Sequence, residues 1–442
     1  MFSLIYLLGC GDKDSLYVPT NPEPSVEIEP STEPSSDPSS EPSTEPDTSD
    51  PSNPDTDPVD TGLSDTAVPD IVEIDINDYL ALSNEVCSSR DPYFVAVTGT
   101  LTADISICAQ DAVVLIGSVT MFSGTTMQIE AGSAIQMQTS AQLIIEAGAT
   151  LNALGSESDP ILFHVEDADV GSGRWAGLVI RGNGRNRSGG GSLSDSSGTL
   201  RYLRIIEAGE TVADYSAALT FENVGEGTTV EYIEIWRPLD DAVSLISGDV
   251  NLSYIILYRP GDDAIDWTDG YRGTISHAAI AMKNGDRAIE GENRDPTDGP
   301  STEMPISDPT VENISVYGGK KSALYLRNGS AGTVVNSVLN NNSKCAMEVS
   351  ADVNFAASFS HLIVYEYDQG MYCTSANSGN ASNYAANIVD IDPMQTGFMP
   401  DSSSPLLGNG YNDPTVSTYL GAFETTDWTL GWSKFDGRSS IY

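Results

Sequence analysis

Positive charge is what this chain has least of: 20 Lys and Arg stand against 64 Asp and Glu, a formal charge of −44. Residues 12–78 alone hold 19 acids against one lysine, and the remainder is acidic too. Such a field repels nucleic acid and anionic membrane surfaces, and leaves cations, basic partners and neutral glycans as ligands. No run of 18 apolar residues follows the first few positions, so no segment reads as a membrane-spanning helix. Cysteine is scarce and odd in number at five. The simplest arithmetic is one modified residue plus two pairs, Cys87 with Cys108 and Cys345 with Cys373, which implies an oxidising compartment; the alternative is four buried free thiols. The glycine-rich stretch 182–198 lacks a Gly-Lys-Ser/Thr ending and is not a phosphate loop.

What is present begins with a short apolar run, Phe2 to Leu8, ending in Leu7-Leu8-Gly9-Cys10. It resembles the lipobox of bacterial lipoproteins, which implies a signal peptide over residues 1–9 and a lipid anchor on Cys10. Residues 10–78 read as a disordered acidic linker of Pro-Ser-Glu, Pro-Ser-Thr and Pro-Asp units, too polar to offset the entropy of ordering. Proline and self-repelling carboxylates extend such a chain, giving a reach of about 160 Å at about 3.1 Å per residue.

From Tyr79 the composition turns to Val, Ile, Leu, Gly and Thr, with internal repeats. Thr229-Val230-Glu231-Tyr232-Ile233-Glu234-Ile235 returns as Asn251-Leu252-Ser253-Tyr254-Ile255-Ile256-Leu257 and again from Thr274 to Ile280. About twelve residues after each unit comes a small residue followed by an apolar one: Ala242-Val243, Ala264-Ile265, Ala288-Ile289, Ala323-Leu324, Ala346-Met347 and Gly370-Met371. Steps of 22, 24, 35, 23 and 24 residues predict an all-β solenoid, a right-handed parallel β-helix over residues 79–442 with a C-terminal cap from about 375. The leucine-rich repeat pattern is absent, and a propeller blade needs about twice the period. One column, Tyr202, Tyr232, Tyr254, His277, Asn313, Asn336 and His361, breaks strict alternation and reads as a tight turn with stacked side chains. On that reading His277 and His361 are ladder members rather than catalytic bases.

Charge precedes the second apolar unit in three successive repeats: Asp240-Asp241, Asp262-Asp263 and Asp286-Arg287. A cation, Arg237, Arg259 or Lys283, stands three residues before each first aspartate, so the bland expectation is a structural ladder of opposite charges. Two sharper expectations share these residues. Asp240, Asp241, Asp262, Asp263, Asp266 and Asp269 could supply the oxygens that Ca²⁺ requires, with Glu290 and Glu292 extending the face. Gly261-Asp262-Asp263-Ala264-Ile265 resembles the Gly-Asp-Asp-Cys-Ile segment of polygalacturonase-type hydrolases, which implies Asp262, Asp263 and Asp286 as acid and base, with Arg259 or Lys283 steadying substrate. Gly-His-Gly and Arg-Ile-Lys motifs are missing from the chain. Stretches 182–198 and 291–309 interrupt the period as loops, and Arg181, Arg185 and Arg187 at the first either meet an anionic partner or balance local carboxylates.

Gly173-Arg174-Trp175-Ala176-Gly177-Leu178-Val179-Ile180, Gly227 to Tyr232, Gly261 to Asp266, Gly270-Tyr271-Arg272-Gly273, Gly421-Ala422-Phe423 and Asp427 to Trp432 occur together. In combination they resemble a family of bacterial surface β-helix lipoproteins over residues 90–435. The resemblance implies the β-helix and a place at the cell surface or outer membrane, and brings no catalytic residues. Trp428 and Trp432 are expected to cap the open end of the solenoid. The function expected is binding or adhesion, to a polysaccharide, a cation or an envelope protein, without catalysis. A carbohydrate-active enzyme and an inert spacer are the alternatives.

Overall fold

The computed structural model describes residues 72–82, 87–89, 91–165, 174–210, 216–293, 305–340, 344–350, 357–365, 367, 373, 385–388, 397–400, 402–408, 410 and 418–435. Cys10 with its lipobox, the linker as far as residue 71, residues 294–304 of the second loop and Gly370-Met371 lie outside them.

From Gly198 onward each repeat contributes two strands, and the coils before it three, none with a partner within its own repeat, so they pair with the repeats before and after. Among the described residues the result is a sheet of 24 strands in which every pairing is parallel: a β-helix. A long ladder stacks Gly198–Ile206, Thr229–Trp236, Asn251–Tyr258, Thr274–Ala281, Thr310–Tyr317, Thr333–Asn340 and Ser358–Tyr365. A short ladder stacks Leu219–Glu222, Val243–Ile246, Ile265–Thr268, Ile289–Gly291, Leu324–Leu326 and Met347–Val349. Its register runs Leu219, Val243, Ile265, Ile289, Leu324, Met347, the apolar half of each small-apolar pair, and all six are buried in the core.

Three corners of the coil adopt the left-handed region. The expected tight turn bends each long strand at Tyr202, Tyr232, Tyr254, His277, Asn313, Asn336 and His361, with φ from 49° to 57°. Tyrosine is a costly residue there, and stacking offsets the cost. Ring centroids lie 4.5 Å apart from Tyr202 to Tyr232, 4.8 Å to Tyr254 and 4.7 Å to His277. A second corner holds Glu207, Arg237 and Arg259 after the long strands, and a third holds Asn223, Ser247 and Asp269 after the short ones.

Two boundaries differ from the sequence reading. Ordered structure begins before Tyr79: Val72–Asp75 pairs with Phe94–Leu101, and the helix Ile76–Leu82 sinks Ile76 and Tyr79 into the first coils. The C-terminal tryptophans do not close the open end. Residues 418–435 run along the flank of the long ladder as a strap, where Trp432 meets Tyr202 and Tyr232 edge-on and Trp428 meets Tyr254. Stacked ring edges leave an apolar furrow along the turn column, and the tryptophans fill it. Polar groups of the long ladder fix the strap: Asn313 Nδ2, in the turn column, donates to the Tyr419 and Gly421 carbonyls, and the Glu234 carboxylate, two residues after Tyr232, accepts the Lys434 and Phe435 amides. Both expected disulfides are formed, Cys87–Cys108 and Cys345–Cys373.

Candidate functional site

The charged residues before each short strand stack with the strands and form columns along the solenoid. Asp262 N and Asp286 N donate to the carbonyls of Asp240 and Asp262, and Lys321 N donates to that of Asp286, which sets Asp240, Asp262, Asp286 and Lys321 in one outer row. Behind it runs a buried row. The Asp263 amide donates to Asp241 Oδ1 at 3.0 Å, and the Arg287 amide donates to Asp263 Oδ1 at 2.7 Å. A third row, on the outward positions of the strands, is Ser244, Asp266, Glu290, Tyr325 and Glu348.

Charge compensation divides this face. Towards the C-terminus every acid has a cation: Asp286 pairs with Lys321 at 2.6 Å, Glu290 with Arg287 at 3.1 Å and Arg327 at 2.9 Å, Glu292 with Arg327 at 3.1 Å, and Glu348 with Lys344 at 2.8 Å. Among the described residues no lysine or arginine forms an ion pair with Asp240, Asp241, Asp262, Asp263 or Asp266. Burial holds the Asp241, Asp263 and Asp266 carboxyls well above the usual carboxylate range, and neighbouring carboxylates add to it. Burial, then Asp286, pushes Asp262 up to about 6, and burial raises Asp240 as well.

The expected ladder of opposite charges is not built from the expected cations. Arg237 and Arg259 occupy left-handed corner positions, where Arg237 pairs with Glu207 of the preceding coil at 3.4 Å and Arg259 lies over the Tyr258 ring. Lys283 is exposed and forms no ion pair with a described residue. Nor does Asp269 join the acids: it sits at the far corner of its coil and faces Arg187 at 3.5 Å. Arg181 and Arg185 likewise meet carboxylates of the protein, Glu146, Glu222 and Asp249. Of the six residues expected to bind metal, the structure brings ligand atoms of Asp240, Asp241 and Asp262 within 4.8 Å of one another, while Asp263 continues the buried row and Asp266 lies in the row on the strands.

Sequence reasoning missed Lys321, Tyr325 and Arg327. Counting the register forward would have found Lys321 beneath Asp286, but the insertion after Gly291 stretches that step to 35 residues and hides it. His277, read as a ladder member, is one: it stacks on Tyr254, its Nε2 meets Tyr419 Oη at 2.9 Å, and burial lowers its pKa to about 4.

No curated protein matches this chain. A solved structure that does match is the periplasmic alginate epimerase AlgG, at 8% identity over 71% of this chain and 82% of that one; its TM-score of 0.30 is too low to support an argument. The family model described as a pectate-lyase-like β-helix domain matches residues 99–366, a span that holds both ladders and the acidic face. With more than half its length accounted for in this way, the chain belongs to the pectate-lyase-like β-helix domain family.

Proposed function

We propose that the protein is an extracytoplasmic surface protein that binds a polysaccharide, without turnover, along the outer row Asp240, Asp262, Asp286 and Lys321. The observation that carries this reading is the row itself. Charged groups, three aspartates and then a lysine, recur once per coil, about 4.8 Å apart, and a ligand that repeats along its own length meets such a row at several points at once. The family bears the name of a polysaccharide-degrading fold, and two disulfides suit an oxidising compartment. Leu7-Leu8-Gly9-Cys10 supplies the lipid anchor in this reading. Retention on immobilised neutral and acidic polysaccharides is the test. Wild type is expected to be retained and Asp262→Asn/Asp286→Asn to elute at least tenfold sooner. Capture of an envelope protein with no glycan retention moves the assignment to a protein partner, and retention of neither leaves a spacer. In cells, Cys10→Ser is expected to move the protein out of the membrane fraction.

One observation favours a second reading. Asp262, raised to about 6 beside ion-paired Asp286, has the protonation of a general acid near neutral pH. In a hydrolase Asp262 would protonate the leaving oxygen and Asp286 would act as base or nucleophile. Lys321 takes the place assigned from sequence to Arg259 and Lys283. Asp263 is excluded from contact with substrate, because it is 2% exposed and engaged with the Arg287 amide. Release of reducing ends from an acidic polysaccharide, abolished in Asp262→Asn, establishes this reading; intact polysaccharide after prolonged incubation excludes it.

A further inference from the structure

We propose that Arg259, Lys283 and Lys320, on the corner between the long and the short ladder, bind phosphate esters, at a second site beside the acidic row and distinct from it. The three stand on successive coils. The Arg259 amide donates to the carbonyl of Ala281, two residues before Lys283, and the Lys320 amide donates to that of Gly285, two residues after it. Coils rise about 4.8 Å each, so neighbouring cations of this row can share one phosphate and the third can take the next along a polymer. Lys283 and Lys320 are exposed and Arg259 is half-buried.

Arg259 is held in place without being used. Its guanidinium lies 4.8 Å over the Tyr258 ring, which is stacked in turn on Trp236 at 3.9 Å. Ala281 follows Tyr258 in the register, so no ring of the next coil competes for that face. The guanidinium nevertheless forms no hydrogen bond with a described residue, and none of the three cations forms an ion pair with one. On a chain of 64 acids and 20 bases, neighbours do find partners: Arg237, one coil earlier, pairs with Glu207, and Lys321 pairs with Asp286. The left-handed corner is the cause, because it lays Arg259 on the ring instead of against Asp262. A guanidinium ordered in advance loses little further freedom on binding, and its planar fork matches the oxygens of a phosphate. Asp240 and Asp262 oppose an anion at this corner, but the three cations outnumber them. The acids farther away are screened, since charges act over about 8 Å at physiological ionic strength.

The test uses the full chain carrying Cys10→Ser, so that no anchor enters a bilayer. It is titrated with sodium tripolyphosphate by calorimetry, and its co-sedimentation with vesicles of phosphatidylglycerol and phosphatidylcholine is measured alongside. This parent protein and its Lys344→Gln form, altered away from the corner, are expected to bind tripolyphosphate alike, and more weakly as NaCl is raised. Arg259→Asn/Lys283→Gln is expected to bind at least tenfold more weakly; asparagine is chosen because it tolerates the left-handed region. Circular dichroism reports whether that variant folds, and Lys283→Gln/Lys320→Gln, which leaves Arg259 in its corner, replaces it if not. No heat with the parent protein overturns the site, as does undiminished binding in a folded variant. Binding of both tripolyphosphate and vesicles upholds the site and makes a lipid headgroup the source of the phosphate; tripolyphosphate alone upholds it with a soluble phosphate polymer as the source. Equal affinity for polygalacturonate overturns the assignment to phosphate, because the corner would then attract any polyanion.

Discussion

Gly261 is the residue that lets the acidic face stack. A Cβ at this position would lie 1.6 Å from the Leu239 carbonyl oxygen of the coil before, and one at Gly285 would lie 2.4 Å from that of Asp262. Backbone cannot yield as a side chain can, so Gly261→Ala must prise two coils apart, at an expected cost of about 2 kcal/mol or more in denaturant unfolding. A change under about 0.5 kcal/mol would show that the coils are not held at that spacing. The resemblance of Gly-Asp-Asp to a hydrolase segment therefore has a packing cause before any chemical one. Asp262 carries the opposite lesson. Its folded pKa, about 6, lies above the ordinary aspartate value, so its charge opposes folding at pH 7, and the opposition fades as pH falls through 6. Without added calcium, Asp262→Asn is expected to raise Tm at pH 7 by about 2 °C and to make no difference at pH 4. Equal Tm values at pH 7 would mean that Asp262 is already compensated. The aspartates were legible in the sequence because they recur with the repeat. Their partners were not, since Arg237 and Arg259 are placed by a left-handed corner whose φ no residue type in the run announces.

Between strands, the legible part was the column and the illegible part was what covers it. Tyr202, Tyr232, Tyr254 and His277 share a register that repeat counting finds, because stacking is local in the solenoid. The strap returns to the long ladder from more than a hundred residues away, pairing Tyr419 with His277 of the column and Phe435 with Glu234 beside it, and nothing in a local pattern encodes such a contact. His277 reports on the strap through pH. Its folded pKa, about 4, is below the ordinary histidine value of about 6.5, so below pH 6.5 the unfolded chain takes up a proton that the folded one refuses. Stability is whole above that pH and falls between 6.5 and 4, by an amount on the order of 2 kcal/mol. His277→Asn, which places in this corner the residue that Asn313 and Asn336 already supply, is expected to remove that part of the acid sensitivity. A wild-type and variant Tm that fall in parallel from pH 7 to 4.5 would place the sensitivity elsewhere.

Across the whole molecule, stability is a sum of coils and of the interfaces between them, and the terminal coils, with a neighbour on one side only, open first. The disulfides stand where that weakness lies. Cys87–Cys108 spans 21 residues at the first coils and Cys345–Cys373 spans 28 at the last, while the middle of the solenoid relies on the ladders and the strap. Closing loops of that size constrains the unfolded chain by about 3 kcal/mol each. Placed at the ends, the constraint acts on the segments that would otherwise fray, and the coils that carry Asp240, Asp262 and Asp286 lie between them. Reduction is accordingly expected to lower protection from amide exchange in 94–121, Met347–Val349 and Ser358–Tyr365, while leaving the strands Val243–Ile246 and Ile265–Thr268 as protected as before. Exchange that rises uniformly along the solenoid on reduction would instead mean that the coils unfold as one unit, and that the acidic face depends on both disulfides.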